Sequence, residues 1–188
     1  TDPLQLAQIP TSPADLTAGG GINGVGGEGL GGPVTDPATL LALDTPLHDG
    51  VAESLRFLYP YDGTVWPRSL PAPNLMWDWS VGDADAIQIE LETTTGSFAW
   101  AGSFGRPAIL AQTGQPFVRH PIPQNIWKMA TDTAGGVDRI TVRLTIARNG
   151  EAYGPLEQVW TIAPARLSGT IYYNSYGTQL AKNYPGAV

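Results

Sequence analysis

The sequence reads Ala-Ile-Gln-Ile-Glu-Leu-Glu-Thr from Ala86 to Thr93. Apolar and polar side chains alternate along this stretch with a period of two, which is typical of a β-strand that buries one face. Residues 139–147 repeat the pattern, with Ile, Val, Leu and Ile alternating with Arg and Thr. Each of these strands needs a second layer to cover its apolar face, so the two stretches predict packed β-sheets.

Shorter stretches of the same kind lie on both sides of this pair. We predict further strands at residues 56–60, 74–79, 97–104 and 156–162, separated by turn residues. Many short strands at this spacing are typical of an all-β antiparallel sandwich. Trp77 and Trp160 fall on apolar faces, and we expect both indoles in the core.

Three stretches resemble the opening of bacterial fibronectin type III-like and immunoglobulin-like modules of cell-surface or secreted proteins. They are residues 59–65, with Asp62-Gly63 at a turn, residues 73–77, with Leu75-x-Trp77, and residues 83–91. Residues 139–147 and 156–162 resemble strands F and G of such modules. The resemblance implies an immunoglobulin/fibronectin III-like sandwich that binds or spaces and does not catalyse. Residues 106–131 are longer and richer in Pro than the usual connection, which suggests an irregular or inserted region.

The chain divides into three segments. Residues 1–54 form an acidic, Gly/Pro-rich arm with short helical turns, predicted at residues 12–15 and 35–43 from their N-cap and Pro residues. Residues 55–165 form the sandwich. Residues 166–188 form either an additional strand or the start of a following domain.

The charge is distributed unevenly. The formal net charge is −7, from 17 acidic and 10 basic residues. Residues 1–55 contain seven of the acidic residues and no Lys or Arg, so the rest of the chain is neutral overall. Nucleic-acid binding requires clustered basic residues, and a membrane span requires about 20 apolar residues. We therefore expect neither nucleic-acid binding nor membrane insertion. The Gly-rich, Lys-poor composition favours an exported, extracellular or cell-surface protein.

The pattern of polar residues argues against an enzyme. His48 and His120 are isolated in the sequence, and we interpret His120 as structural. Ser103 has a near match to a nucleophile elbow, but Arg106-Pro107 argues against the helix that must follow. Glu90 and Glu92 lie on one strand, where we expect cross-strand ion pairs with Arg139 and Arg143.

No cofactor or metal is expected, and the chain has no Cys. Asp78, Asp83 and Asp85 cluster near one turn, where oxygen ligands suit calcium, but their spacing matches no known loop. Solvated turn carboxylates are the favoured interpretation.

Two binding hypotheses remain. The first is a structural or interaction module that binds protein partners or self-associates, with strand addition to the edge of a neighbouring copy giving a filament or multimer. Its assembly residues would be the apolar ones of the two terminal segments: Leu40, Leu41, Leu43, Tyr172, Tyr173 and Tyr176. We expect residues 40–47 to dock on the sandwich or on a partner chain. The alternative is carbohydrate binding through exposed indoles, at Trp66, Trp79, Trp100 and Trp127.

Overall fold

The fold is known from a computed structural model, which describes residues 29–80 and 82–168. These residues form eight strands and three helices, which we number in chain order. The strands are β1 (Arg56–Tyr59), β2 (Val65–Arg68), β3 (Asn74–Asp78), β4 (Ala86–Thr93), β5 (Ala99–Gly105), β6 (Arg119–Pro121), β7 (Arg139–Arg148) and β8 (Glu151–Arg166); the helices are α1 (Pro37–Asp44), α2 (Ala108–Thr113) and α3 (Gln124–Ala134).

The strands form two sheets around one core. One sheet has three strands in the order β1-β3-β6, and the other has five in the order β2-β8-β7-β4-β5. The alternating apolar residues of β4 and β7 point inward and pack in one cluster with Leu75 and Trp77 of β3. Both Trp77 and Trp160 are buried, as predicted. The prediction of a largely β structure with two layers is therefore confirmed.

The prediction of a purely antiparallel arrangement is wrong at one pair. Val65 of β2 lies opposite Thr161 of β8 in a parallel register, whereas the other strand pairs are antiparallel. The cause is the path of the chain: β1 belongs to the three-stranded sheet, and after a short turn the chain continues as β2 in the five-stranded sheet. The five-stranded sheet is therefore mixed.

The predicted irregular region at residues 106–131 contains α2, β6 and most of α3. Helix α3 buries Trp127, Ala130, Thr131 and Ala134 on one face. These positions have helical spacing, and burying them against the sheets stabilises the helix although it has no side-chain N-cap.

Part of the acidic arm docks on the sandwich, which is one of the two outcomes expected for residues 40–47. Asp36 caps α1 by accepting a hydrogen bond from the Thr39 amide. Leu43 then packs with Ala86, Ala147 and Ala152 on the outer face of the five-stranded sheet. The helical turn predicted at residues 12–15 lies outside the described residues.

Candidate functional site: an open sheet edge

Strand β5 forms one edge of the five-stranded sheet. Its even-numbered residues direct their backbone groups toward β4, as shown by the bond from the Thr93 amide to the Phe98 carbonyl. Since backbone groups alternate along a strand, the odd-numbered residues Ala99, Ala101, Ser103 and Gly105 direct theirs outward. These four residues form the edge that another strand could join.

The arm covers half of this edge. We call residues 31–34 the strap, because they run antiparallel along β5 with Pro33 opposite Phe104. The Gly105 amide donates to the Gly32 carbonyl at 2.7 Å, and the Val34 amide donates to the Ser103 carbonyl at 3.5 Å. Within residues 29–80 and 82–168, the backbone groups of Ala99 and Ala101 have no such partner.

The strap can lie this close to β5 only because residue 31 is Gly. A Cβ atom at Gly31 would overlap the carbonyl oxygen of Gly105, whereas a Cβ at Gly32 would meet nothing within 4 Å. The two adjacent glycines therefore differ. Gly31 permits the close approach to β5, whereas there is room for a side chain at Gly32.

His120 fastens the strap from the opposite sheet. The Gly31 amide donates to Nε2 of His120 at 2.9 Å, and the bond is buried. An acceptor at Nε2 requires the neutral ring with its proton on Nδ1, an atom that is buried without a hydrogen-bond partner. Burial lowers the pKa of His120 to about 4, and the Pro121 carbonyl opposes this shift. The sequence-based interpretation of a structural histidine agrees with this geometry.

A row of aromatic rings lines the edge on the inner side. Trp100 lies over Gly102 and is half-buried. Its ring centroid is 6.3 Å from that of Phe104, which in turn lies 4.4 Å from the His120 ring. The open half of the edge is thus flanked by an indole that is only partly covered.

The other described edge strands carry features that discourage strand addition. Strand β2 contains Pro67. The Thr64 and Arg68 carbonyls accept hydrogen bonds from the Thr161 and Leu167 amides on the β8 side, so the backbone of Pro67 faces the open side of the strand. Strand β1 has four residues, with a charged Arg56 and a register shift, and β6 has three residues that end at Pro121. Charges, prolines and irregularity block edge pairing. Strand β5 has seven residues and no charge or Pro, so it is the most exposed to pairing.

The predicted ion pairs on the outer face are confirmed for one arginine and wrong for the other. The guanidinium nitrogens of Arg143 lie 2.9 Å from a carboxylate oxygen of Glu92, 2.9 Å from one of Glu157 and 3.7 Å from one of Glu90. Arg139 lies beyond Glu92 in the register, opposite Thr161, so it does not reach these glutamates. The three acids share one cation, which supports a structural role.

The four tryptophans assigned to ligand binding are placed differently from one another. Trp66, Trp79 and Trp127 are buried, at 8%, 8% and 1% exposure. Trp66 and Trp127 pack edge to face against each other at 5.7 Å and against Trp160. Trp66, Trp79 and Trp127 therefore pack in the core and do not form an exposed platform for a sugar. Trp100, at the β5 edge, is the one with an accessible ring.

The remaining candidates have protein partners. Asp78 pairs with Arg56, Asp83 pairs with Arg106, and Asp85 accepts from the Asn149 amide. Among the described residues no group of three or more His, Asp or Glu side chains could hold a metal ion. Ser103 lies within β5, and the strand continues to Gly105.

The predicted assembly residues are separated in the structure. Leu43 is buried against the five-stranded sheet, Leu40 is half-buried and Leu41 is 65% exposed. Tyr172, Tyr173 and Tyr176 lie outside the described residues. The strap and the β5 edge were not predicted as a site; the uncharged run from Ala99 to Gly105 shows only that this strand lacks the charges that protect edge strands.

Comparison with known proteins does not assign the chain to a family. No family model matches it, and no curated protein is significantly similar to it. No helix within the described part of the chain is long and apolar enough to cross a membrane.

Proposed function

We propose that the chain is a non-enzymatic interaction module of the immunoglobulin/fibronectin III-like kind, exported to the cell surface or the extracellular space. The strand orders support this kind of sandwich, because β2-β8-β7-β4-β5 and β1-β3-β6 correspond to the orders A′-G-F-C-C′ and A-B-E of such domains. The passage of the chain from β1 in one sheet to β2 in the other also supports it. The helices α2 and α3 between β5 and β7 are departures from that pattern.

The function of the module is self-association, in which β5 pairs with β5 of a second copy. The observation that carries this proposal is the half-covered edge: Ala99 and Ala101 have outward backbone groups with no described partner, on a strand without charge or Pro. A second copy is the occupant that fits, since an uncharged edge meets an equally uncharged edge and no charge is left unpaired.

A two-fold axis at Trp100 gives a register compatible with the docked strap. Ala99 of one copy then lies opposite Ala101 of the second copy, and the reverse pair forms across the axis. The same axis places the half-buried Trp100 rings of the two copies as cross-strand neighbours. Aromatic cross-strand pairs stabilise sheets by up to about 1 kcal/mol each, and the pairing would cover both indoles.

Substitution of Ala101 tests the proposal. Ala101→Pro removes the outward amide donor and leaves the bonds between β5 and β4 intact, because the Ala101 backbone does not face β4. Ala101→Val is the matched control, since it retains the amide and favours a strand. Sedimentation velocity over a range of protein concentrations measures the association of both variants.

We expect the native chain and Ala101→Val to dimerise with rising concentration and Ala101→Pro to remain monomeric. Circular dichroism checks that all three are folded. Equal association of the Pro and Val variants would place the interface elsewhere. A native chain that stays monomeric at every concentration would overturn self-association.

A further inference from the structure

The strap is an internal occupant of the same edge on which the proposed self-association depends. It takes the backbone groups of Ser103 and Gly105, which a second copy would otherwise reach. While the strap is docked, β5 offers only Ala99 and Ala101 to a partner strand. Without the strap, it offers four outward residues, because Ser103 and Gly105 join them.

The bond between Gly31 and His120 is one of three described hydrogen bonds that hold the strap, and the one of them that involves a titratable side chain. Nε2 of His120 can accept the Gly31 amide proton only through its lone pair. A protonated imidazolium has no lone pair, so two N–H donors would face each other at 2.9 Å in a site closed to water. Protonation therefore changes a buried attraction into a repulsion.

Within residues 29–80 and 82–168, no acidic side chain makes a close contact with the His120 ring that could neutralise its positive charge. The strap and β5 contain no charged residue, and the Asp78 carboxylate of β3 is paired with Arg56. Beside Phe117, which contacts the His120 ring edge to face, Asp83 is paired with Arg106 and accepts the Phe117 amide. On β6 the neighbouring charge is the cation of Arg119. Burial is the main cause that lowers the His120 pKa, to about 4.

We propose that protonation of His120 releases the strap and opens the full length of the β5 edge to a second copy. The pairing axis then shifts from Trp100 to Gly102, so that Ala99 lies opposite Gly105 and Ala101 opposite Ser103 of the second copy. Four residues of each copy then pair rather than two. This inference rests on the proposed self-association and adds its regulation by acid.

Three changes separate strap release from other effects of acid. Gly31→Ala prevents docking at any pH, and Gly32→Ala is its matched control because a Cβ at Gly32 meets nothing. His120→Gln keeps a side-chain acceptor for the Gly31 amide but does not titrate in this range. Val34→Cys combined with Ser103→Cys places two thiols at opposite positions of the strap register. Their disulfide locks the strap, and the native chain has no Cys that could compete.

Two readouts are needed. Exchange protection of the Gly105 amide, measured in dilute monomeric protein, reports strap release. Sedimentation at higher concentration reports association. Between pH 7 and pH 4 we expect the exchange protection of the Gly105 amide to fall roughly tenfold and the association constant to rise roughly tenfold. Changes of this size correspond to one to a few net hydrogen bonds, lost within the chain and gained between the copies.

Gly31→Ala should show both properties already at pH 7, whereas Gly32→Ala should behave as the native chain. His120→Gln and the disulfide-locked chain should show neither change with pH. Acid-dependent loss of Gly105 protection that persists in His120→Gln would show that protonation of His120 does not release the strap. A Gly31→Ala chain with native protection would likewise overturn the proposed docking of the strap. Association that depends on Ala101 but not on pH would overturn the regulation by His120 and leave the proposed function standing. Release of the strap without any association would overturn the proposed self-association and its regulation by acid, and would leave the release of the strap by protonation of His120 standing.

Discussion

Single residues of this protein have consequences that depend on contacts made across the two sheets. His120 is the clearest case, because its hydrogen-bond partner Gly31 lies 89 residues away in the sequence. The ring is fully buried between Phe104 and Phe117, and its hydrogen bond with the Gly31 amide holds the strap. A side chain in this setting is neutral in the folded chain and charged in the unfolded chain over the same pH range.

His120 should make the free energy of unfolding depend on pH. Its folded pKa of about 4 lies below the pKa of 6.5 that an exposed histidine has, so between these values the unfolded chain binds the additional proton. The stability contribution is therefore complete above pH 6.5, falls as the pH is lowered, and reaches its lower limit below pH 4. The expected loss is about 3 kcal/mol. Urea denaturation of the native chain and of His120→Gln at pH 7 and pH 4 isolates this part, since the carboxylates titrate in both proteins. An equal loss in the two proteins would contradict the assignment.

Among the elements, α1 shows how the arm becomes part of the domain. Asp36 caps its N-terminus, and its C-terminal end is held on the sheet by Leu43 and by Asp44, which accepts a hydrogen bond from the Gln88 side chain at 2.7 Å. The outer face of the five-stranded sheet is therefore covered at one end by the arm, while Arg143 and its glutamates lie further along the same face.

Removal of the Leu43 side chain should destabilise the folded chain. Leu43→Ala leaves a cavity against Ala86, Ala147 and Ala152, with an expected cost of about 2–4 kcal/mol. Leu41→Ala, on the same helix but 65% exposed, should change stability by less than about 0.5 kcal/mol. Chemical denaturation measures both. Equal effects of the two substitutions would mean that α1 is not docked in solution.

Sequence periodicity predicts most of these elements but not their neighbours. The strands at Ala86–Thr93 and Arg139–Arg148 are predictable because each has to bury one face, and that requirement is local. Helix α3 had a readable signal in Trp127, Ala130, Thr131 and Ala134, which the nearby prolines obscured. The position of β5 at an edge, the parallel neighbour of β2 and the partner of His120 depend on how distant segments meet, so they are not encoded in any local pattern.

At the scale of the whole fold, the described residues form two sheets in which β5 is the edge strand without protective charges or Pro. Proline, charge or irregular pairing protects β1, β2 and β6, whereas among the described residues β5 is protected only by the strap and only along half of its length. Natural sheet proteins usually avoid such an edge because it invites pairing with other chains. Here the strap limits the edge to two residues, which favours a defined pair of copies over open-ended aggregation.

Hydrogen exchange at the Ala99 and Ala101 amides, followed at neutral pH as the protein is diluted, tests the pairing of β5 most directly. If two copies pair through β5, both amides should be protected in concentrated protein and lose that protection on dilution, while the amides of β4 stay protected throughout. Amides at Ala99 and Ala101 that exchange rapidly at every concentration would contradict the pairing. Protection that is the same at every concentration would also contradict it, because another part of the same chain would then cover the edge.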